Sequence, residues 1–184
     1  FLFSSALAAQ GSILYVDENA TDPVRDGTTW CRAYHTPYDG IKASNAGDTI
    51  RVAGGLYTPW AGVPGDVRTA SFALKSGVRI EGAYAGCGAV NPDARDYAND
   101  ISFIRGDPLR DDSATFNTSN NSYHVLTASL LGPGTVIDGL YIDGGHARNP
   151  ALPDGLNGAG MLAVGSTLTA INCIFQANEA QETN

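Results

Sequence analysis

Three arginines, Arg51, Arg79 and Arg105, lie in short phrases that end on glycine: TIRVAG at 49–54, VRIEG at 78–82 and SFIRG at 102–106. On extended strands they would project outward as a basic stripe facing an anionic sugar. A polysaccharide lyase needs such a residue to take the proton α to a uronate carboxyl, with a cation such as Ca²⁺ to neutralise that carboxyl. The same letters also describe arginines that merely solvate a face, and Glu81 offers one of them a partner, so this second reading is preferred. Glycoside hydrolysis would need two carboxylates ~5–9.5 Å apart. Asp138 and Asp143 are the nearest candidates, yet each precedes a glycine, as turns prefer. The insertion at 107–121 carries Asp107, Asp111 and Asp112 with Asn117, Asn120 and Asn121. Such oxygens suit Ca²⁺, although the spacing departs from the EF-hand loop and a solvated insertion is the commoner outcome for these letters. The insertion at 55–71 offers Tyr57 and Trp60 as aromatic ligand contacts. His35, His124 and His146 are isolated, and AVGSTL lacks the nucleophile elbow of a serine hydrolase.

The elements that would position these residues are strands. TVIDG at 135–139 and LYIDGG at 140–145 repeat the pattern of a branched apolar residue shortly before glycine. The spacing is too long for hairpins and too irregular for a helical array, so it predicts an all-β solenoid whose coils bury their apolar positions by stacking. Aligning Gly54, Gly82 and Gly106 puts Val52, Ile80 and Ile104 in one inward column and Ile50 with Val78 in another. Outside, Arg51 would face Arg79 and Glu81 would face Arg105. A first strand is expected at 12–17. One short helix is signalled by Thr36 as N-cap, Pro37 at the first position and Asp39 in the first turn, ending by 46–48. It would cap the open N-terminal end of the solenoid.

Composition agrees with one all-β domain: 43% of the 184 residues are apolar and 22 are glycine, against a usual glycine share of roughly 7%. A net charge of -8, with Lys42 and Lys75 as the two lysines, argues against nucleic acid as a partner. Residues 1–8 read as the remnant of a secretory signal peptide, with Ala6-Leu7-Ala8 as a cleavage pattern, which leaves a domain at 9–184. No other stretch is long and apolar enough to span a bilayer, so the mature chain is expected without a transmembrane segment. Three cysteines fit an exported protein with one disulfide. Cys31 and Cys87 sit in loop-like contexts and are the favoured pair, stabilising by about 4 kcal/mol, while Cys173 lies in a strand phrase.

The runs GDTIRVAGGLYTP, FALKSGVRIEGAYAGCGAVNPDARD, NSYHVL, TVIDGLYIDGGHA and TLTAINCIFQANEA resemble the N-terminal part of the right-handed parallel β-helix proteins exported by environmental bacteria. The likeness covers about residues 13–180 and extends to the pectate-lyase-like fold; Asn172 and Asn178 stand where that family's coil carries turn asparagines. It implies an architecture shared by lyases, hydrolases, adhesins and surface-layer proteins, and transfers no catalytic residue. It also implies that further coils follow, so the domain is expected to be truncated after the coil at 161–175, leaving an apolar open end. The resulting expectation is a right-handed parallel β-helix with a short N-terminal capping helix, secreted or at the cell surface. Its role is expected to be structural or adhesive through polysaccharide or cell-surface components. The alternative is an exported polysaccharide lyase or glycoside hydrolase acting on acidic polysaccharide.

Overall fold

The computed structural model describes residues 11–59, 66–112, 118–151 and 154–180. In chain order the strands are β1 (Ile13–Val16), β2 (Thr49–Ala53), β3 (Gly55–Tyr57), β4 (Phe72–Ala73), β5 (Arg79–Tyr84), β6 (Ser102–Arg105) and β7 (Leu126–Ser129). They continue with β8 (Thr135–Asp138), β9 (Leu140–Asp143), β10 (His146–Ala147), β11 (Met161–Val164), β12 (Leu168–Ile171), β13 (Ile174–Gln176) and β14 (Glu179–Ala180). The first sheet has the order β1-β2-β5-β8-β12, the second β13-β9-β6-β3, the third β11-β7-β4, and the last is the pair β10-β14. Every pairing is parallel.

This overturns the expected β-solenoid. Hydrogen bonding stops at the bends between strands, so the strand phrases are parted among four separate short sheets of five, four, three and two strands, none of them closed. Among the described residues the result is a multi-sheet arrangement with one α-helix. The bends explain why neighbouring phrases do not share a sheet. TVID and LYID become β8 and β9, and Gly139 between them has φ 71°, a left-handed conformation that glycine adopts without strain. Between β12 and β13 the same left-handed bend falls on Asn172, φ 49°, whose Nδ2 donates to Asp138 Oδ1 at 3.0 Å.

The register differs as well. Ile50 pairs with Ile80 and Ile80 with Ile137, whereas Ile104 belongs to the second sheet between Tyr57 and Ile142. Val52, Ile80 and Ile104 are all buried, but not in one column. Aligning by glycine failed because the glycines have different duties. Gly82 lies inside β5, where a Cβ would stand 2.4 Å from the Gly139 carbonyl oxygen, whereas Gly54 links β2 to β3 and Gly106 follows β6. A bulge in β5 adds to the shift: Ala53 is opposite Tyr84, and Ala83 takes φ 67°. Buried Ser102 stabilises this place, its Oγ accepting from the Ala83 N–H at 2.9 Å and reaching the Val52 and Ala53 carbonyls at 3.1 and 2.9 Å.

The core gathers Val16, Ile50 and Ile137 from the first sheet, Ile104 and Ile142 from the second, and Phe72 and Leu126 from the third. Each such side chain contributes roughly 1.5–3 kcal/mol by leaving water. Helix α1 (Pro37–Ala43) forms where its signals predict, with the Thr36 hydroxyl accepting from the Asp39 N–H at 3.3 Å. Gly40 lets it lie close to β1 and β2, since a Cβ there would meet Val16 Cγ2 at 2.9 Å. A second apolar cluster joins Trp30, Ala53 and Tyr84, with Tyr15 and Cys87 packed against it. Beside it Cys31 and Cys87 form the expected disulfide, with Cα atoms 4.8 Å apart.

Candidate functional site

The outer face of the first sheet is charged, and its charges are paired. Arg51 stands opposite Glu81, and Glu81 opposite Asp138, rather than Arg51 opposite Arg79. Arg51 Nη1 donates to Asp93 Oδ1 at 2.7 Å, and the Arg79 guanidinium bonds both Glu81 and Asp138. Asp138, 4% exposed, also accepts from Arg95 Nη1 at 3.1 Å. Although burial alone would raise its pKa, the hydrogen bonds from Arg95 and Asn172 and the nearby guanidinium charges outweigh it and hold the carboxyl below its ordinary range. The hydrogen bond to Glu81 raises the Arg79 pKa still further, so that side chain stays charged.

Arg105 is on the second sheet, and its expected pairing with Glu81 is replaced by one with Asp143 on the adjacent strand. Arg105 Nε donates to both Asp143 oxygens at 3.1 Å and Nη2 to Oδ2 at 2.7 Å. That bond raises the Arg105 pKa, and the Asp107 and Asp112 charges add to the shift. Arg51, Arg79 and Arg105 therefore do not form one stripe.

Period-two alternation on the second sheet turns a column outward beside this ion pair: Leu56, Phe103, Tyr141 and Ile174 stand in register on β3, β6, β9 and β13. The rings of Phe103 and Tyr141 lie 4.9 Å apart, tilted by 56°. The Arg105 guanidinium is 5.8 Å from the Phe103 ring, and the Tyr141 hydroxyl bonds Gln176 Oε1 at 2.8 Å. On one flank Tyr97, Tyr141, Asn172 and Ile174 line a hollow of about 100 Å³. On the other, Arg105, Asp112, Thr118, Asp143, Asn178 and Glu179 line a cleft of about 350 Å³. These aromatics were not among the sequence candidates. Superposing SFIRG on LYIDG, instead of on VRIEG, would have found them.

Of the two aromatics named from sequence, Tyr57 is 2% exposed and its hydroxyl donates to the Ala53 carbonyl at 3.1 Å, so it serves the core. Burial pushes its pKa far up. Its segment begins with strand β3, where a loop was expected at 55–71, because Gly55, Leu56 and Tyr57 pair in register with Ser102, Phe103 and Ile104 of β6. Trp60 lies outside the described residues, as do residues 1–8 and Asn117.

The acidic loop after β6 does converge. Asp107, Asp111 and Asp112 each bring a carboxylate oxygen within 4.8 Å of the others. Buried Asp107 shapes the loop, its two oxygens accepting from the Asp111 and Asp112 N–H groups at 3.2 and 3.0 Å. Asn120 Nδ2 donates to Asp111, and Asn121 Nδ2 to Asp112 Oδ2 at 2.8 Å. Burial, reinforced by the charges of Asp107 and Asp111, pushes the Asp112 pKa up despite the Asn121 bond.

Each histidine engages a backbone carbonyl: His35 that of Ala20, His124 that of Gly158 and His146 that of Thr118. Asp138 and Asp143 each precede a left-handed glycine and are held by arginines. Among the described residues no helix is long and apolar enough to cross a membrane. Comparison with family models, curated proteins and solved structures finds no match.

Proposed function

We propose that this is a secreted or cell-surface protein with a structural or adhesive role, which binds polysaccharide on the outer face of the second sheet. The observation that carries the reading is the outward column with Phe103 and Tyr141 at its centre and the Arg105–Asp143 pair one step along. Aromatic faces with hydrogen-bonding groups beside them give a sugar ring both an apolar surface and polar anchors. A disulfide fits an oxidising, extracellular compartment. The net charge of -8 disfavours nucleic acid as partner.

The alternative, a polysaccharide lyase or hydrolase, is less well supported. Arg79 and Arg105 are held protonated by carboxylates, which is the wrong state for a base, and Asp138 is held ionised, the wrong state for a general acid. Affinity electrophoresis of the full chain in gels cast with neutral or acidic polysaccharides, in EGTA, tests the binding. The Phe103→Ala/Tyr141→Ala variant should lose at least tenfold in affinity, from about 1 kcal/mol per ring. Equal retardation of the variant, or no retardation by any glycan, sinks the proposal, and release of unsaturated oligosaccharides would establish the lyase instead.

A further inference from the structure

The acidic loop holds a second feature that the glycan reading does not use. Three side-chain oxygens at this one place are buried with no hydrogen-bond donor: Asp112 Oδ1, Asn120 Oδ1 and Asn121 Oδ1. Asn121 is the most telling, being 0% exposed. Its Nδ2 bridges Asp112 Oδ2 and the Gly144 carbonyl, each at 2.8 Å. Turning the amide over would set its oxygen against two acceptors, so the orientation of this amide beside Asp112 is fixed and its oxygen stays bare. A buried acceptor left without a donor is costly, and three together beside three converging carboxylates are costlier still.

Among the described residues no neighbouring side chain donates to these oxygens. Arg105 is committed to Asp143, and Arg110 turns away, its Nη2 donating to the Leu56 carbonyl at 2.7 Å. What the three bare oxygens lack is a partner that accepts electron pairs from oxygen alone. We propose that Asp107, Asp111, Asp112 and the Asn121 amide form a Ca²⁺ site. Ligands around one Ca²⁺ at about 2.4 Å lie no more than ~4.8 Å apart, and the three carboxylates meet that limit. An all-oxygen set without His or Cys selects a hard cation. A site offering this many protein oxygens suits Ca²⁺ over Mg²⁺, which keeps most of its water. The ion would tie the loop to the bend after β9 through Asn121 and Gly144.

The probe is Ca²⁺ alone, with no glycan, so its outcome is independent of the polysaccharide reading. CaCl2 titrated calorimetrically into the EGTA-stripped full chain should give one saturable site with Kd of about 10⁻⁴–10⁻³ M, the range of extracellular Ca²⁺ modules. Ca²⁺ at 10 mM should raise the Tm more than Mg²⁺ does. Asp112→Asn should weaken binding at least tenfold. Should that variant fail to fold by circular dichroism, Asp111→Asn, whose side chain is exposed, carries the same expectation. Absence of saturable heat up to 10 mM CaCl2, wild-type affinity in a folded variant, or equal affinity for Mg²⁺ overturns the assignment.

Discussion

Replacing Asp138 by Ala is the sharpest perturbation of the scaffold behind the proposed binding face. Its carboxylate is 6% exposed and accepts from Arg79 at 3.0 Å, Arg95 at 3.1 Å and Asn172 at 3.0 Å, so its loss strands three donors at once. Leaving a fully buried charge unpaired costs about 3–5 kcal/mol. Here the side chains of Arg79 and Arg95 are 36% and 21% exposed, and Arg79 retains Glu81, so water and that partner reduce the expected loss. About 2–3 kcal/mol remains, or roughly 4–12 °C in Tm for a chain of this size. Arg79→Ala, at the wetter end of the network, should cost at most about 1 kcal/mol. The effect should also depend on pH. Because the folded protein holds the Asp138 pKa below its ordinary value of 3.8, its stabilisation is fully present above that value and is lost as pH falls through the folded pKa. The difference between wild type and Asp138→Ala should therefore shrink in strong acid. Urea unfolding across pH 2–7 measures it. A loss below about 1 kcal/mol at neutral pH, or an equal loss for Arg79→Ala, refutes the assignment of Asp138 as the hub.

Removing the disulfide with Cys31→Ser/Cys87→Ser should lower stability by about 4 kcal/mol, because its ends are 56 residues apart. A shift under about 1 kcal/mol in urea unfolding would show that the linkage relieves no chain entropy. Ile171, Ile174 and Phe175 lie exposed on the outermost strands β12 and β13, and apolar strand edges invite association. Sedimentation equilibrium should find the protein self-associated at micromolar concentration and Ile174→Lys/Phe175→Lys less so, and a monomeric wild type contradicts this.

What was legible in the sequence was local. Thr36, Pro37 and Asp39 announce a helix through their own backbone contacts, and Asp107, Asp111 and Asp112 are close in space because they are close in sequence. The pairing of strands was not legible, because a parallel partner is chosen by distant residues and by the bends between. Gly54, Gly82 and Gly106 share a letter but serve as a link, a close approach and a strand exit. That confusion hid the true neighbours of Arg51 and Arg105, and with them the Phe103–Tyr141 column. Tyr57 misled for a related reason: glycine and proline around it suggest a loop, whereas three residues in register with β6 suffice for a strand within an existing sheet.

The pairing pattern also governs time. Thr49 pairs with Ile13, Ile80 with Ile137, and Phe72 with Leu126, so even the nearest partners are tens of residues apart and no hairpin exists among the described strands. A nascent chain must close a long loop before any ladder rewards it, and each loop is closed against its full entropy. Such topologies fold in milliseconds to seconds instead of microseconds, with strand edges open meanwhile. Oxidation of Cys31 with Cys87 shortens the search for β1, β2 and β5 alone. Refolding should accordingly be faster with that bond intact, with the later strands adding onto an edge already in place.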